Sequence, residues 1–264
     1  MNVCRNADRL TTFRQICAQV GREFDVIPCF MSKPFMNVSA SACHTNISLW
    51  KGGETHLKTF NMDPLPGMEA PYTHAEGGEN LFMPDTDNPR MPGKVGLQAM
   101  GGIMEHLPGI TVLGASTVNS YRRLLEPGFW APLYVNWGYQ NRTTSVRNSA
   151  PGRFEYKAVD SMHNPYLLGA GLLAAVDDGL KRDLDPGPPE QRNIYDHMDE
   201  LANVRQLPMN LGKALEAFEA DEVAKSALPD EMYKVFMHYK NDEWDRFMST
   251  VTEWDMEQYL DCLP

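Results

Sequence analysis

The segment from Ser116 to Tyr166 carries Arg122, Arg123, Arg142, Arg147 and Arg153, a dense set of guanidinium groups in a chain of formal net charge −11. Guanidinium forks match carboxylate and phosphate geometry and stay charged at any working pH. Near the end of this segment the run RFEYKAV alternates strictly. As a strand it places Arg153, Glu155 and Lys157 on one face and Phe154, Tyr156 and Ala158 on the other. The second set reads as core. The first puts a carboxylate between two cations, which a solvated strand rarely needs, and so suggests an anion-and-metal site built on a sheet.

A second segment, SASACHTNISLW from Ser39 to Trp50, follows the same logic. His44, Asn46 and Ser48 share one strand face, and Cys43, Thr45, Ile47 and Leu49 share the other. Taken alone, this segment equally fits a surface strand with its polar side outward. His44 and Glu155 are the one pair in the two strands that looks like metal ligands. Mg²⁺ or Mn²⁺ takes mainly oxygen ligands, often shared with substrate phosphates, so further ligands must come from phosphate, water or other residues. No G-x-x-x-x-G-K-[ST] loop is present, and GAGLLA lies inside a helical pattern with no strand before it. Arginines and a metal are therefore expected to handle the phosphates. The residues alone point to metal-assisted chemistry on a small, phosphorylated anion.

The elements that must position these groups can be read in part. Asn6 can cap a helix with Leu10, Phe13, Cys17 and Val20 on one face, and Asp25–Met31 reads as a short strand interrupted by Pro28. That helix opens almost at residue 1, which hints at missing upstream sequence. Residues 51–93, rich in Gly, Pro, Asn and Asp, read as a long irregular insertion in which Glu69, Glu76 and Glu79 are surface charges. Val95–Leu107 reads as a helix broken by Pro108, with His106 as a structural residue. Asn164 and Pro165 open an apolar helix with Leu167, Leu168, Leu172, Leu173 and Val176. The part from about 190 to 264 reads as a helical scaffold: Asn210 caps a helix with Leu211, Leu215 and Phe218, and Pro229 opens one with Met232, Phe236 and Tyr239. Thr252 and Asp255 form a capping arrangement for Glu253–Leu260.

Composition narrows the function classes. The acidic charge argues against broad nucleic-acid binding. No apolar run approaches the roughly 20 residues of a membrane span, and no signal core opens the chain. Five cysteines without C-x-x-C spacing indicate neither a zinc site nor a disulfide frame, which suits a cytoplasmic protein.

The motifs MSKPFMNVSASACHTNISLW, NSYRRLLEPGFWAP, NRTTSVR, RFEYKAVDS and NPYLLGAGLLAAVDDG resemble, in order, those of glutamine synthetase catalytic domains. The wording around His44, GFWAP and the ending WDMEQYLDCLP is similar to the γ-glutamylmethylamide synthetases, glutamate–methylamine ligases of the same superfamily. The resemblance implies an α+β fold, a curved antiparallel sheet backed by helices. It corresponds to the later part of the catalytic domain (residues 1–264), with the N-terminal β-grasp domain and the strands bearing most metal-binding glutamates not among these residues. It implies ATP-dependent ligation of an amine to the γ-carboxylate of L-glutamate through γ-glutamyl phosphate, with ATP and Mg²⁺ (or Mn²⁺) required, in nitrogen or methylamine metabolism. Partners would be L-glutamate, ATP, methylamine or ammonia, and identical subunits in a double ring. On its own the chain is expected to have an open cleft, little ligase activity and impaired ring assembly.

Carried over by motif, the resemblance implies that His44 and Glu155 hold the metal beside the ATP phosphates. Asn46, where common glutamine synthetases have histidine, and Ser48 would contact the nucleotide. Ser39 and Ala40 would meet glutamate through loop backbone, and Arg123 would bind a glutamate carboxylate. Arg142 and Arg147 would neutralise the transferring phosphoryl group, and Arg153 the nucleotide phosphates. Lys157 stands where the family has an arginine for the substrate carboxylate; it keeps the charge and loses the bidentate fork. Trp130 stands where glutamine synthetases carry a flap glutamate that helps deprotonate ammonium. It cannot be that base, but it can pack on a methyl group or face a methylammonium through its ring; packing as a lid residue is the alternative. Glu126 is a candidate replacement base. An ammonia-using glutamine synthetase and a non-catalytic relative are the competing readings.

Overall fold

The computed structural model describes residues 3–52, 54–57, 72–76, 78–88, 90–124, 130–201 and 203–262. The chain opens with α1 (Val3–Glu23), followed by β1 (Thr45–Ile47), β2 (Trp50–Lys51), β3 (Glu54–Leu57), β4 (Tyr72–Glu76) and β5 (Glu79–Asn80). The helices α2 (Lys94–Gly114) and α3 (Val118–Arg122) precede β6 (Trp137–Tyr139), β7 (Val146–Ala150) and β8 (Arg153–Tyr156). The rest is helical: α4 (Pro165–Lys181), α5 (Leu211–Ala220), α6 (Glu222–Ser226), α7 (Asp230–Met248) and α8 (Glu253–Tyr259).

The main sheet has the order β1-β8-β7-β6. The fold is α+β as expected, but the sheet is mixed rather than antiparallel: β1–β8 and β8–β7 are antiparallel, whereas β7 runs parallel to β6. Parallel neighbours usually need a crossover of a dozen or more residues. Here a short loop suffices because Gln140 turns through the left-handed region at φ 53° and the buried Thr143–Ser145 run carries the chain back. The β7–β8 hairpin turns at Gly152, φ 75°, where a Cβ would stand 2.5 Å from the Asn80 side chain.

Helices back one face of the sheet. Val146, Phe154 and Tyr156 point into the core, where Phe154 stacks on Phe82 with ring centroids 5.1 Å apart. The paired helices α2 and α4 form the centre of the helical layer. They approach at Gly102 and Gly179, where a Cβ on Gly102 would lie 2.0 Å from the Ala175 carbonyl oxygen, so only glycine permits the crossing. The Asn164 cap is as expected, accepting from the amides of Tyr166 at 3.0 Å and Leu167 at 3.3 Å. Asn210 likewise caps α5, and Thr252 with Asp255 forms a capping box on α8.

Several expectations need correction. Pro108 does not end its helix: α2 continues to Gly114, because Arg205 donates to the Met104 carbonyl that a proline four residues later leaves without an amide partner. Asn6 lies inside α1, which already runs from Val3, and the packed face of α1 is built on Ala7 and Gly21 while Phe13 and Val20 are exposed. Asp25–Met31 is not a strand. The Val26 amide caps α1 by donating to the Gly21 carbonyl at 2.9 Å, and Pro28 packs against Gly21. The strand in Ser39–Trp50 is broken, β1 covering only Thr45–Ile47 and Trp50 opening β2, and residues 51–93 contribute to antiparallel ribbons, β2–β5 and β3–β4. Glu69 lies outside the described residues. Leu173, Met232 and Tyr239 are exposed on their helices rather than packed. No helix among the described residues is long and apolar enough to cross a membrane.

His106 is the ionic clamp of the helical layer. Its Nδ1 and Nε2 each lie 2.8 Å from a carboxylate, of Asp221 at the N-terminus of α6 and of Asp178 on α4, with Arg182 also 2.8 Å from Asp178. Burial alone pushes the imidazole down, but hydrogen bonds to Asp221 and Asp178 outweigh it and leave His106 raised. Burial likewise opposes ionisation of Asp178 and Asp221, yet the hydrogen bonds from His106 hold both below the ordinary range. A raised folded pKa gives stability that is complete below about pH 6.5, the unfolded value, and is lost as pH rises through the folded one. The depressed carboxylates contribute above about pH 4 and lose their contribution as pH falls. We therefore expect His106→Gln to cost about 3 kcal/mol between about pH 4 and 6.5, with the deficit shrinking at alkaline pH, read from urea midpoints of both proteins from acid to alkaline pH.

Candidate functional site

The sheet face opposite the helices carries the polar side chains of both alternating segments. Asn46 on β1, Glu155 on β8 and Arg147 on β7 are direct cross-strand partners, so their side chains leave the sheet on the same side. His44, two residues before Asn46, joins them: its Nδ1 lies 3.0 Å from Glu155 Oε1. The other carboxylate oxygen, Oε2, lies 3.1 Å from Arg147 Nε. That contact lacks hydrogen-bond geometry, and both atoms are buried without a hydrogen-bond partner among the described residues. Glu155 thus presents a buried oxygen whose bonding capacity is not satisfied among the described residues.

Arg123 enters from the other side of the site, just past α3. The Thr117–Ser120 capping box starts that helix, and Asn119 ties it to the loop before β1 by accepting from the Lys33 amide and donating to the Lys33 carbonyl, each at 2.9 Å. The Arg123 guanidinium is buried and donates from both terminal nitrogens to the Lys157 carbonyl at 3.2 Å. One of them, Nη2, also stands 3.5 Å from His44 Nε2. Burial lowers the His44 pKa, Glu155 opposes the shift, and Arg123 and Lys157 add to it. A neutral imidazole with its proton on Nδ1, donated to Glu155, fits this network. It leaves the Nε2 lone pair for an acceptor role, the state a metal ligand needs.

Lys157 is among the most enclosed side chains, 1% exposed. Its Nζ donates to the Trp130 carbonyl at 3.1 Å and to the Arg142 carbonyl. Burial and then the Arg123 charge push its ammonium down to about 7, against a smaller opposing effect of Glu155. Trp130 adopts φ 61° and leaves its indole half exposed. Beside it, Tyr195 donates to the Ala131 carbonyl at 2.6 Å. Glu126 lies outside the described residues.

The loop bearing Arg142 owes its shape to Asn141. The Asn141 amide donates to the carbonyls of Glu190 and Arg192, each at 2.9 Å, and its oxygen accepts from the Thr143 amide at 3.0 Å and hydroxyl at 2.7 Å. The anchors Asn119, Asn141 and Tyr195 are absent from the sequence-based candidates. Only Asn141 had a local signal, since an Asn two residues before Thr can close an Asx turn.

The arrangement brings His44, Asn46, Arg123, Arg147, Glu155 and Lys157 together. Arg142 and Arg153 are exposed, as is Ser39, with Ala40 half-buried in the same loop. Ser48 Oγ accepts from the Trp50 indole at 3.0 Å. Among the described residues no group of three or more His, Cys, Asp or Glu side chains is placed to hold a metal. His44 and the unsatisfied Glu155 oxygen fit a divalent cation only as part of a shell completed by phosphate or water.

Comparison with known proteins extends these observations. The family described as glutamine synthetase, catalytic domain, matches residues 1–62 and 58–259. The glutamine synthetase of Pyrococcus furiosus is 32% identical over 275 residues, covering 97% of this chain and 56% of that protein. That of Halobacterium salinarum is 33% identical over 262 residues, with 97% and 52% covered. Among solved structures, a GmaS/ADP complex superposes with TM-score 0.83 at 31% identity, covering 99% of this chain and 56% of the other. Ligand-free GmaS gives 0.81 at 31% identity. The chain spans about half the length of the relatives it matches.

Asn141 offers a direct check on how the site is held. Asn141→Ala removes donors and acceptor together, leaving the carbonyls of Glu190 and Arg192 and the Thr143 amide to find other partners. We expect a loss of about 1–3 kcal/mol in urea unfolding, with Asn141→Asp, which keeps the acceptor, intermediate.

Proposed function

Because this chain belongs to the glutamine synthetase catalytic-domain family, we propose that it forms the nucleotide- and glutamate-handling part of an ATP-dependent glutamate–amine ligase, with methylamine as the amine. The observation that carries this reading is the buried Glu155 carboxylate, flanked by His44 and Arg147 on one sheet face and left with an unsatisfied oxygen. The likeness to a GmaS/ADP complex over 99% of the chain supports use of a nucleotide, and the similarity of the motifs around His44 and GFWAP to the γ-glutamylmethylamide synthetases supports methylamine.

In this reading a γ-carboxylate oxygen of glutamate attacks the terminal phosphorus of ATP and ADP departs. The amine nitrogen then attacks the acyl carbon, phosphate leaves, and the amine gives up a proton. His44 and Glu155 would hold Mg²⁺ or Mn²⁺, which when bound supplies charge neutralisation at the phosphate oxygens. Arg142 and Arg147 stabilise the negative charge of the transferring group, and this charge is where fixed cations lower the barrier most. Arg123 receives a carboxylate of glutamate, whose backbone meets the loop at Ser39 and Ala40. Arg153 neutralises nucleotide phosphates, and Asn46 and Ser48 contact the nucleotide. Assembly into rings of identical subunits, as the family resemblance implies, is part of the same proposal.

Trp130 decides the amine. An indole offers apolar area and a π face to an N-methyl group and no basic atom to ammonium. The second reading, ammonia as the amine, is favoured by the names of the relatives, which are glutamine synthetases. A methyl group in an apolar pocket is worth about 10- to 200-fold in discrimination. Active enzyme should show a kcat/KM ratio for methylamine over ammonia in that range, and Trp130→Glu should shrink it. A preference of the unaltered enzyme for ammonia would decide for the second reading.

A further inference from the structure

Lys157 is joined to the site by its backbone and side chain at once. Its amide donates to the Ser145 carbonyl at 2.9 Å, in the buried run that brings the chain into β7. Its carbonyl accepts from both terminal nitrogens of Arg123. Its ammonium reaches past the sheet to two other segments, donating to the carbonyls of Trp130 and Arg142. At 1% exposure it is enclosed rather than offered to a ligand in the cleft.

Those two carbonyls belong to residues whose side chains are exposed, Trp130 and Arg142. Trp130 also holds φ 61°, a left-handed conformation that a bulky L-residue keeps only where its surroundings enforce it. The hydrogen bond that the enclosed Nζ donates to the Trp130 carbonyl, with a second to Arg142, supplies that enforcement. An arginine at this position, as the family resemblance implies for relatives, has donors to spare but a planar fork. Lysine, like arginine, has donors enough to bridge two carbonyls from different segments, and carries them on one compact group.

We propose that Lys157 is a positioning residue that latches the Trp130 backbone to the Arg142 loop, fixing where the indole and the guanidinium stand over the site, rather than a ligand for the substrate carboxylate. The inference deepens the ligase reading and rests on it for its functional meaning. The latch itself is read without turnover.

The test is amide hydrogen exchange on the intact chain. The amides of Val135, bonded to the Arg205 carbonyl, and of Thr143 and Ser145, bonded to Asn141 and Asn136 side chains, report on the two latched segments. Lys157→Met fills the same space and strands both carbonyls. It should speed exchange of these amides about tenfold or more while α2 and α4 keep their protection, and Lys157→Arg, which restores donors, should bring them back to within about threefold of the unaltered chain. Lys157→Leu, which also has no donor, gives the same reading should the methionine variant not fold. Unaltered exchange in the latched segments, acceleration spread equally into α2 and α4, or an arginine variant as fast as the methionine one would each overturn the proposal. Failure of the ligase reading alone would leave the exchange pattern intact.

Discussion

The structure depends on one carboxylate. Glu155 is buried on the sheet face between His44 and Arg147, with Arg123 and Lys157 close behind. Cations packed this densely repel one another, and low exposure strengthens the repulsion. Glu155, with the buried Asp160 acting on Arg123, leaves these cations in excess, and in this setting an anionic ligand is the natural complement. The geometry that makes Glu155 central is the register of a small sheet. Asn46, Glu155 and Arg147 stand opposite one another across three strands, so a one-residue slip in either strand pair would send the set into the core.

The helical layer exists to keep that register. Phe154, Tyr156 and Val146 anchor the strands into a core whose centre is the α2–α4 crossing, close enough that Gly102 and Gly179 are required there. Polar groups then stitch the layer together. His106 bridges carboxylates from two other helices, and Arg205 meets the carbonyl freed by Pro108. Each is a long-range repair of a local conflict: a buried imidazole given charged partners, and a proline given a substitute donor. The site side follows the same rule, since Asn119, Asn141 and Tyr195 satisfy the backbone of loops that no regular structure covers.

What the sequence made legible were the features with a local period or a local cap. The alternation of residues 43–49 is visible in their burial, with the odd positions turned inward and His44, Asn46 and Ser48 outward. The alternation in RFEYKAV put Phe154 and Tyr156 in the core and joined Glu155 to His44. Asn164 and Asn210 declared their helices for the same reason, because a side-chain cap acts over three residues. What escaped was decided by distant partners. Pro108 read as a helix end because Arg205 is far away in sequence. Asp25–Met31 read as a strand because its hydrophobic residues do not reveal that its backbone is engaged in ending α1. The strand pattern gave the face of Lys157 but not the carbonyls of Trp130 and Arg142 that two separate loops bring to its tip.

The central claim is that the Glu155 face binds a nucleotide phosphate group together with a divalent cation. Calorimetric titration of the chain with ADP, with and without Mg²⁺, tests it most directly, alongside Glu155→Gln, which keeps the shape and removes the charge. The account predicts ADP binding that requires the cation and weakens at least about tenfold in the variant, the loss of one charged interaction of roughly 1.4 kcal/mol or more. Absence of ADP binding, or binding indifferent both to Mg²⁺ and to the charge at position 155, would contradict it.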